Sequence, residues 1–267
     1  MKKAFLISGV FISSIVGAGF ATGNEILFYF SRYSKFGLVG ILGSVILFSL
    51  FQYIIVAEAG KKRAYKFDDY LFLIMGKKSA NIISFISHFF MLIIFSAMLC
   101  GFGELLYSLY GIKKIYAVIC MIILYHLILK KGYKGFVKSE SLLSVFIVLS
   151  IIFTGIYILM FREKNVTVFN TISAATISAV SYVGYNILTL SAVLCVLGKE
   201  YDEKVNKIAA VITFITMLLI MGLLWYIICI YSGMIDLGAI PLITICKRVS
   251  RFLSIFYSLV IFASMLT

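Results

Sequence analysis

Val16-Gly17-Ala18-Gly19-Phe20-Ala21-Thr22-Gly23-Asn24-Glu25-Ile26 interrupts the first apolar run of the chain, Ala4 to Phe30. Three glycines, a threonine, an asparagine and a glutamate fall within ten consecutive positions there. A helix surrounded by lipid gains nothing from them, because glycine is a poor helix former and a carboxylate inside a membrane is expensive. Irregular backbone at membrane depth is tolerated only where it is packed inside protein or lines a wet cavity. The stretch therefore predicts a broken transmembrane helix whose freed backbone groups bind a ligand.

The rest of the chain agrees with a membrane setting. Its 267 residues are 63% hydrophobic and 13% charged, with a single proline, and the mean hydropathy is +1.10. Apolar runs recur near 4–30, 37–58, 82–110, 115–129, 141–161, 170–197, 208–231 and 252–267. Most approach the roughly 20 residues that cross a bilayer core of about 30 Å. The expected fold class is an all-α polytopic membrane protein. Aromatic residues are spread along these runs and not set in alternating segments of about ten, which argues against a β-barrel.

A net charge of +13 in a soluble protein would raise nucleic acid as a partner. Here the cations fall between apolar runs, where topology and lipid headgroups account for them, and no nucleic-acid partner is expected. Nine of the 24 Lys and Arg lie in the odd-numbered connections and fifteen at the N-terminus and in the even-numbered ones. That bias puts the N-terminus in the cytoplasm of a multi-pass protein of a bacterial cell (inner) membrane. The opening Met-Lys-Lys imitates a signal peptide, but no small-residue cleavage site ends a short apolar region, so the run is read as a retained span.

Between the second and third runs, Gly60–Asn81 is long enough for a short amphipathic helix at the interface, with Leu71, Phe72, Ile74 and Met75 dipping into the headgroup boundary. The connection at 232–251 holds the only proline, Pro241, and reads as a re-entrant or surface-lying helical hairpin on the outer face. The last run has 16 residues and no charged flank. A span ending inside hydrocarbon leaves carbonyls unpaired, so the expectation is a chain cut inside its eighth span.

The sixth run carries a second interruption, Ser178-Ala-Val-Ser-Tyr-Val-Gly-Tyr-Asn-Ile-Leu-Thr189. Breaks in spans one and six fit two five-helix units in inverted orientation, residues 1–165 and an incomplete 166–267, with the binding site where the breaks meet. Half-helix N-termini there suit an anionic group and freed carbonyls suit a cation.

Gly17-Ala-Gly-Phe-Ala-Thr-Gly-Asn-Glu25, supported by Ser181-Tyr-Val-Gly-Tyr-Asn186 and Ala263-Ser-Met-Leu-Thr267, resembles the motifs of YkvI-type bacterial membrane proteins. These look like distant members of the amino acid–polyamine–organocation superfamily. The resemblance implies the LeuT-type fold, a 5+5 inverted repeat with helices one and six broken, of which about eight helices are present. It also implies a coupling-ion site from the carbonyls of Gly17 and Phe20 with Ser264 and Thr267 on the eighth helix. The implied solute site is Ala18, Gly19, Ala21 and Thr22 against Ser181, Tyr182 and Gly184. Glu25 stands where sodium symporters have an apolar residue, and no arginine follows at their outer-gate position. Sodium and proton both stay open as the coupling ion.

Gly19 and Gly23 also fit small-xxx-small helix packing, which leaves Asn24 and Glu25 unexplained. Glu25 reads as a cation ligand, a proton carrier or the partner of a solute amine. Tyr185, with Tyr182, offers a hydroxyl to a solute, and Asn24, Glu104 and Asn186 are further candidates. Glu58 and Glu140 read as interfacial, His88 as a satisfied core histidine, and the cysteines in apolar runs as small buried hydrophobes. No transition-metal site, cofactor or enzymatic motif is expected beyond the coupling ion, Na+ or H+. The expected function is ion- or proton-coupled secondary transport of a small, amino acid-like solute. The alternatives are a non-transporting ligand sensor or assembly subunit, and a passive channel. The oligomeric state stays open.

Overall fold

The computed structural model describes residues 1–33, 35–130, 132–160, 172–231 and 240–266. The first span is traced by three short helices, α1 (Lys2–Ile15), α2 (Ala18–Ala21) and α3 (Asn24–Tyr29). Then follow α4 (Lys35–Lys62), α5 (Phe67–Tyr110), α6 (Lys114–Leu129), α7 (Gly132–Met160), α8 (Ile172–Leu197) and α9 (Glu203–Tyr231). A short α10 (Pro241–Val249) leads into α11 (Arg251–Met265). No strand occurs among the described residues. Five helices, α4, α5, α7, α8 and α9, are long and apolar enough to cross a membrane, and α6 and α11 are shorter apolar helices.

Most long helices are apolar on all sides, because a span faces lipid outward and neighbours inward and both environments favour the same side chains. Phe85, Leu142 and Ile177 are 74%, 72% and 70% exposed, an outer surface fit only for hydrocarbon. Inside, α1 packs against α7 and α9, while α4 packs against α8 and α9. Phe11, Phe48 and Tyr182 meet edge to face in this core, with Phe11–Phe48 centroids at 6.1 Å and Phe48–Tyr182 at 5.7 Å.

One end of the bundle gathers the N-terminus and two connections. Lys3 pairs with Glu200 at 3.0 Å, and Gly60, near the end of α4, lies so close to the α8–α9 connection that a Cβ there would come within 3.0 Å of Gly198 O. This places the N-terminus, the α4–α5 connection and the α8–α9 connection on one side, as even-numbered connections require.

The amphipathic segment expected after α4 forms the start of α5. It is set off from the rest by Gly76 at φ 73°, ψ 166°, a region essentially reserved for glycine. Leu71 and Met75 pack inward with Phe67 and Ala80, so only Phe72 and Ile74 of the four expected residues, with Leu73, face outward.

The predicted break in the sixth span is absent: α8 is continuous. Asn186 and Thr189 bond their own helix. Asn186 Nδ2 donates to Tyr182 O and Thr189 Oγ1 to Asn186 O, both at 2.9 Å, which satisfies the polar groups without opening the backbone. The expected boundary between the two repeats, near residue 165, lies outside the described residues.

Candidate solute and cation site

The site forms where the first span loses its helix. α1 ends at Ile15, Val16 and Gly17 leave helical geometry, and α2 supplies one turn. A second interruption follows at Thr22–Gly23. Gly23 adopts φ 83°, a left-handed conformation, and starts α3.

Glu25, in the first turn of α3, folds back over α2, and its carboxyl fills the space that a Cβ on Gly19 would need. Glycine at 19 is therefore what lets the carboxyl sit against the break. Glu25 Oε2 is buried without a hydrogen-bond partner. Tyr182 and Tyr185, one helical turn apart on α8, present their hydroxyls beside that carboxyl. Tyr29 closes the group, its ring centroid 5.1 Å from Tyr182 and 5.8 Å from Tyr185. Leaving a buried polar group unpaired costs about 1–3 kcal/mol.

On its other side Glu25 faces a cavity of about 400 Å³. Gly19, Thr22, Asn24 and Glu25 line it from the first span, Met98 and Glu104 from α5, and Met265 from α11. Glu104 stands at an exposed rim and pairs with Lys114. The volume falls in the range of small-molecule sites, roughly 300–1,000 Å³.

The backbone of the break is held by neighbours. Tyr257 Oη of α11 donates to Ala21 O at 2.8 Å, and the Leu242 N–H of α10 donates to Thr22 O at 3.1 Å. α10 lies in the connection expected to form a re-entrant or surface-lying hairpin: Pro241 begins it, and Leu242, Ile243, Ile245 and Cys246 are buried. The Gly17 and Phe20 carbonyls accept the N–H groups of Ala21 and Gly23, each at 2.9 Å. The Thr22 hydroxyl donates to Gly19 O at 2.9 Å.

The structure thus brings Gly19, Thr22, Asn24, Glu25 and Glu104 to one cavity and Tyr182 and Tyr185 to the far side of Glu25. Ala18 opens α2. Phe20 and Ala21 are core residues, and Gly17 lies against Met98, where a Cβ would come within 2.8 Å of the thioether methyl. Asn186 is tied to its own helix. Ser181 and Gly184 are exposed on another face of α8 and do not reach the cavity. Ser264 is buried in α11, with its hydroxyl donating to Ile261 O at 2.8 Å. Thr267 lies outside the described residues.

Glu140 differs from its expected place at an interface. It is 1% exposed, and its Oε2 lies 2.8 Å from Ser13 Oγ of α1. α7 begins at Gly132, two turns before the apolar run announces it, so Glu140 is already deep in the helix. Glu58 keeps its expected place, paired with Lys62 at 2.8 Å. His88 is exposed, its Nδ1 2.8 Å from Ser84 O, and is not a core residue. Cys100 and Cys120 are exposed, whereas Cys195, Cys229 and Cys246 are buried as expected. Among the described residues no three His, Cys, Asp or Glu side chains gather in metal-binding geometry.

No protein-family model matches the chain. It is 28% identical over 273 residues to the membrane protein YkvI of Bacillus subtilis (strain 168), covering 99% of this chain and 77% of that one. Two variants of the manganese transporter of Eremococcus coleocola share its fold, each with a TM-score of 0.66 and 15% identity. The chain spans 62% of the length of those transporter structures, which cover 99% and 98% of it. Similar to YkvI along almost its whole length, the chain is a helical membrane protein with a LeuT-type fold, the one it shares with those structures.

Proposed function

We propose that this protein is a secondary transporter that moves a small, amino acid-like solute by alternating access, driven by a sodium or proton gradient. The observation that carries this reading is Glu25: a carboxyl inside a span, folded onto the helix break, with one buried oxygen unpaired, in a residue that lines a 400 Å³ cavity. A carboxylate at the centre of a span costs about 2.5–3.5 kcal/mol on insertion scales, which favours retention for use. The ammonium of a solute in the cavity is the partner that the Glu25 carboxyl suits, with the Tyr182 and Tyr185 hydroxyls holding that carboxyl from its far side. The cavity exceeds what a bare ion needs, which favours an organic solute over an ion alone.

In this reading the first span and α11 are the parts whose relative position changes during transport, with Ser264 and the carbonyls of Gly17 and Phe20 near the coupling ion. The protein sits in a bacterial cell membrane with its N-terminus in the cytoplasm, residues 1–165 forming the first repeat and 166–267 part of the second. Its partners are the solute and membrane lipids.

The test is uptake of labelled amino acids into proteoliposomes under imposed sodium or proton gradients. Accumulation above the outside concentration is expected for the wild type and its loss for Glu25→Gln, with membrane insertion intact. Ligand-induced thermal stabilisation without accumulation would favour the sensor or assembly-subunit reading. Solute flux far above transporter turnover would favour the channel. Undiminished coupled uptake by Glu25→Gln would remove Glu25 from the mechanism.

A further inference from the structure

Ser13 Oγ has two acceptor-type neighbours and one proton. It lies 3.0 Å from Val10 O, on its own helix, and 2.8 Å from Glu140 Oε2. A hydroxyl donates one hydrogen bond at a time. If Glu140 is ionised, one of these two contacts is an oxygen facing an oxygen with no proton between them. If Glu140 is protonated, its O–H donates to Ser13 Oγ and the Ser13 hydroxyl donates on to Val10 O, so both contacts are hydrogen bonds. Serine back-bonding of this kind is ordinary in transmembrane helices.

The surroundings favour the neutral form equally. Glu140 and Ser13 are 1% and 0% exposed. Of the helices packed against α7, α1 has no ionisable side chain between Ala4 and Ile15. From α6, Tyr125 faces the carboxyl, and its Oη donates to Met265 O; His126 is exposed. On α9, Glu203, Lys204 and Lys207 are exposed near its start, and on α11 Arg251 is exposed while Tyr257 is bonded to Ala21 O. Lys138 on α7 itself points to the exterior. No cation faces Glu140 among the described residues, and an unpaired charge there is heavily penalised.

We propose that Glu140 is a proton-binding site, occupied in this conformation, that locks α1 to α7 one turn before the helix break. The site is distinct from Glu25, and it rests on the transport reading only for its role in coupling. Deprotonation breaks the Oε2–H bond and releases the proton to water. The remaining carboxylate takes the Ser13 hydroxyl away from Val10 O and must be hydrated, so water has to enter between α1 and α7. Proton loss is thereby tied to separation of these two helices. Gly9 makes their contact close: a Cβ there would lie 2.9 Å from Ser141 Oγ and 3.0 Å from Ser144 Oγ of α7.

The test is infrared difference spectroscopy of the protein reconstituted in lipid vesicles, recorded across an alkaline pH step in a Glu25→Gln background. A protonated-carboxyl C=O band that vanishes on alkalinisation is expected, absent from Glu140→Gln. Ser13→Ala keeps the carboxyl but removes its acceptor, so the band shifts; this variant decides the matter if Glu140→Gln does not fold. No such band in the parent, a band that survives Glu140→Gln, or one that Ser13→Ala leaves in place would each overturn the proposal. So would a carboxylate band that answers to added sodium at fixed pH. The measurement needs no solute, so failure of the transport reading and failure of this one are separable.

Discussion

Gly23→Ala should weaken the junction between the first span and α10 more than any other one-methyl change in the region. The residue holds φ 83°, and an L-residue in left-handed geometry costs about 1–2 kcal/mol. A Cβ there meets Leu242 Cγ at 2.9 Å, Ile228 Cδ1 at 3.2 Å and Leu242 Cδ1 at 3.3 Å. Leu242 is fully buried, so relief requires moving α10, whose N–H holds Thr22 O. Overpacking of this kind costs about 1–3 kcal/mol. The sum, roughly 2–5 kcal/mol, lowers the folded-to-unfolded ratio by at least about 30-fold, since each 1.4 kcal/mol is tenfold.

Equilibrium unfolding in mixed micelles, with denaturing detergent titrated in, reads this directly. A double-mutant cycle separates the two terms. Leu242→Ala alone should cost about 2–5 kcal/mol by leaving a cavity, yet in its presence Gly23→Ala should lose most of its packing penalty and keep the backbone one and the Ile228 contact. A Gly23→Ala protein within about 0.5 kcal/mol of wild type would refute the reasoning, because surface-like tolerance is incompatible with a left-handed, packed position.

Three further outcomes follow from the same geometry. Tyr257→Phe strands the Ala21 carbonyl and should destabilise by about 1–3 kcal/mol in the same titration, with the fold retained. A membrane-permeant maleimide should modify two of the five cysteines, Cys100 and Cys120, in native micelles and all five after denaturation. Burial pushes the Cys246 thiol up to about 12, so it stays the inert neutral form, and mass spectrometry of native adducts checks this. Gly19→Ala forces the Glu25 carboxyl off the break and should reduce uptake of amino acids in proteoliposomes at least as severely as Thr22→Ser.

The first-span break was legible because glycine, asparagine and glutamate are costly in lipid and so announce themselves in an apolar run. The sixth span was not. Ser178, Asn186 and Thr189 are as polar, but sequence does not distinguish a residue that marks an opened backbone from one that bonds its own helix. Ser178 does neither: its hydroxyl donates to Tyr29 O at 2.9 Å and ties α8 to the end of α3. Glu140 was misplaced because Lys134 and Lys138 make the start of α7 look extramembranous, although the helix carries its acid on the face toward α1. Hydrophobicity also failed to separate Cys100 and Cys120 from Cys195, since lipid and protein core select alike. What pairs Glu25 with Tyr182 and Tyr185 is tertiary, visible in sequence only as polar residues in two distant spans.

The two bonds that reach the break from outside the first span, Tyr257 Oη to Ala21 O and Leu242 N–H to Thr22 O, come from different elements but land on adjacent residues. Any ligand that changes the geometry of Ala21–Thr22 must therefore pay for, or profit from, a displacement of α10 and α11. By reciprocity of linked equilibria, whatever grips α10 from the surface changes affinity at the break by the same factor that ligand at the break changes the grip. A binder raised against α10 is then a thermodynamic gauge of the buried site: its affinity reports the occupancy of a cavity it never touches.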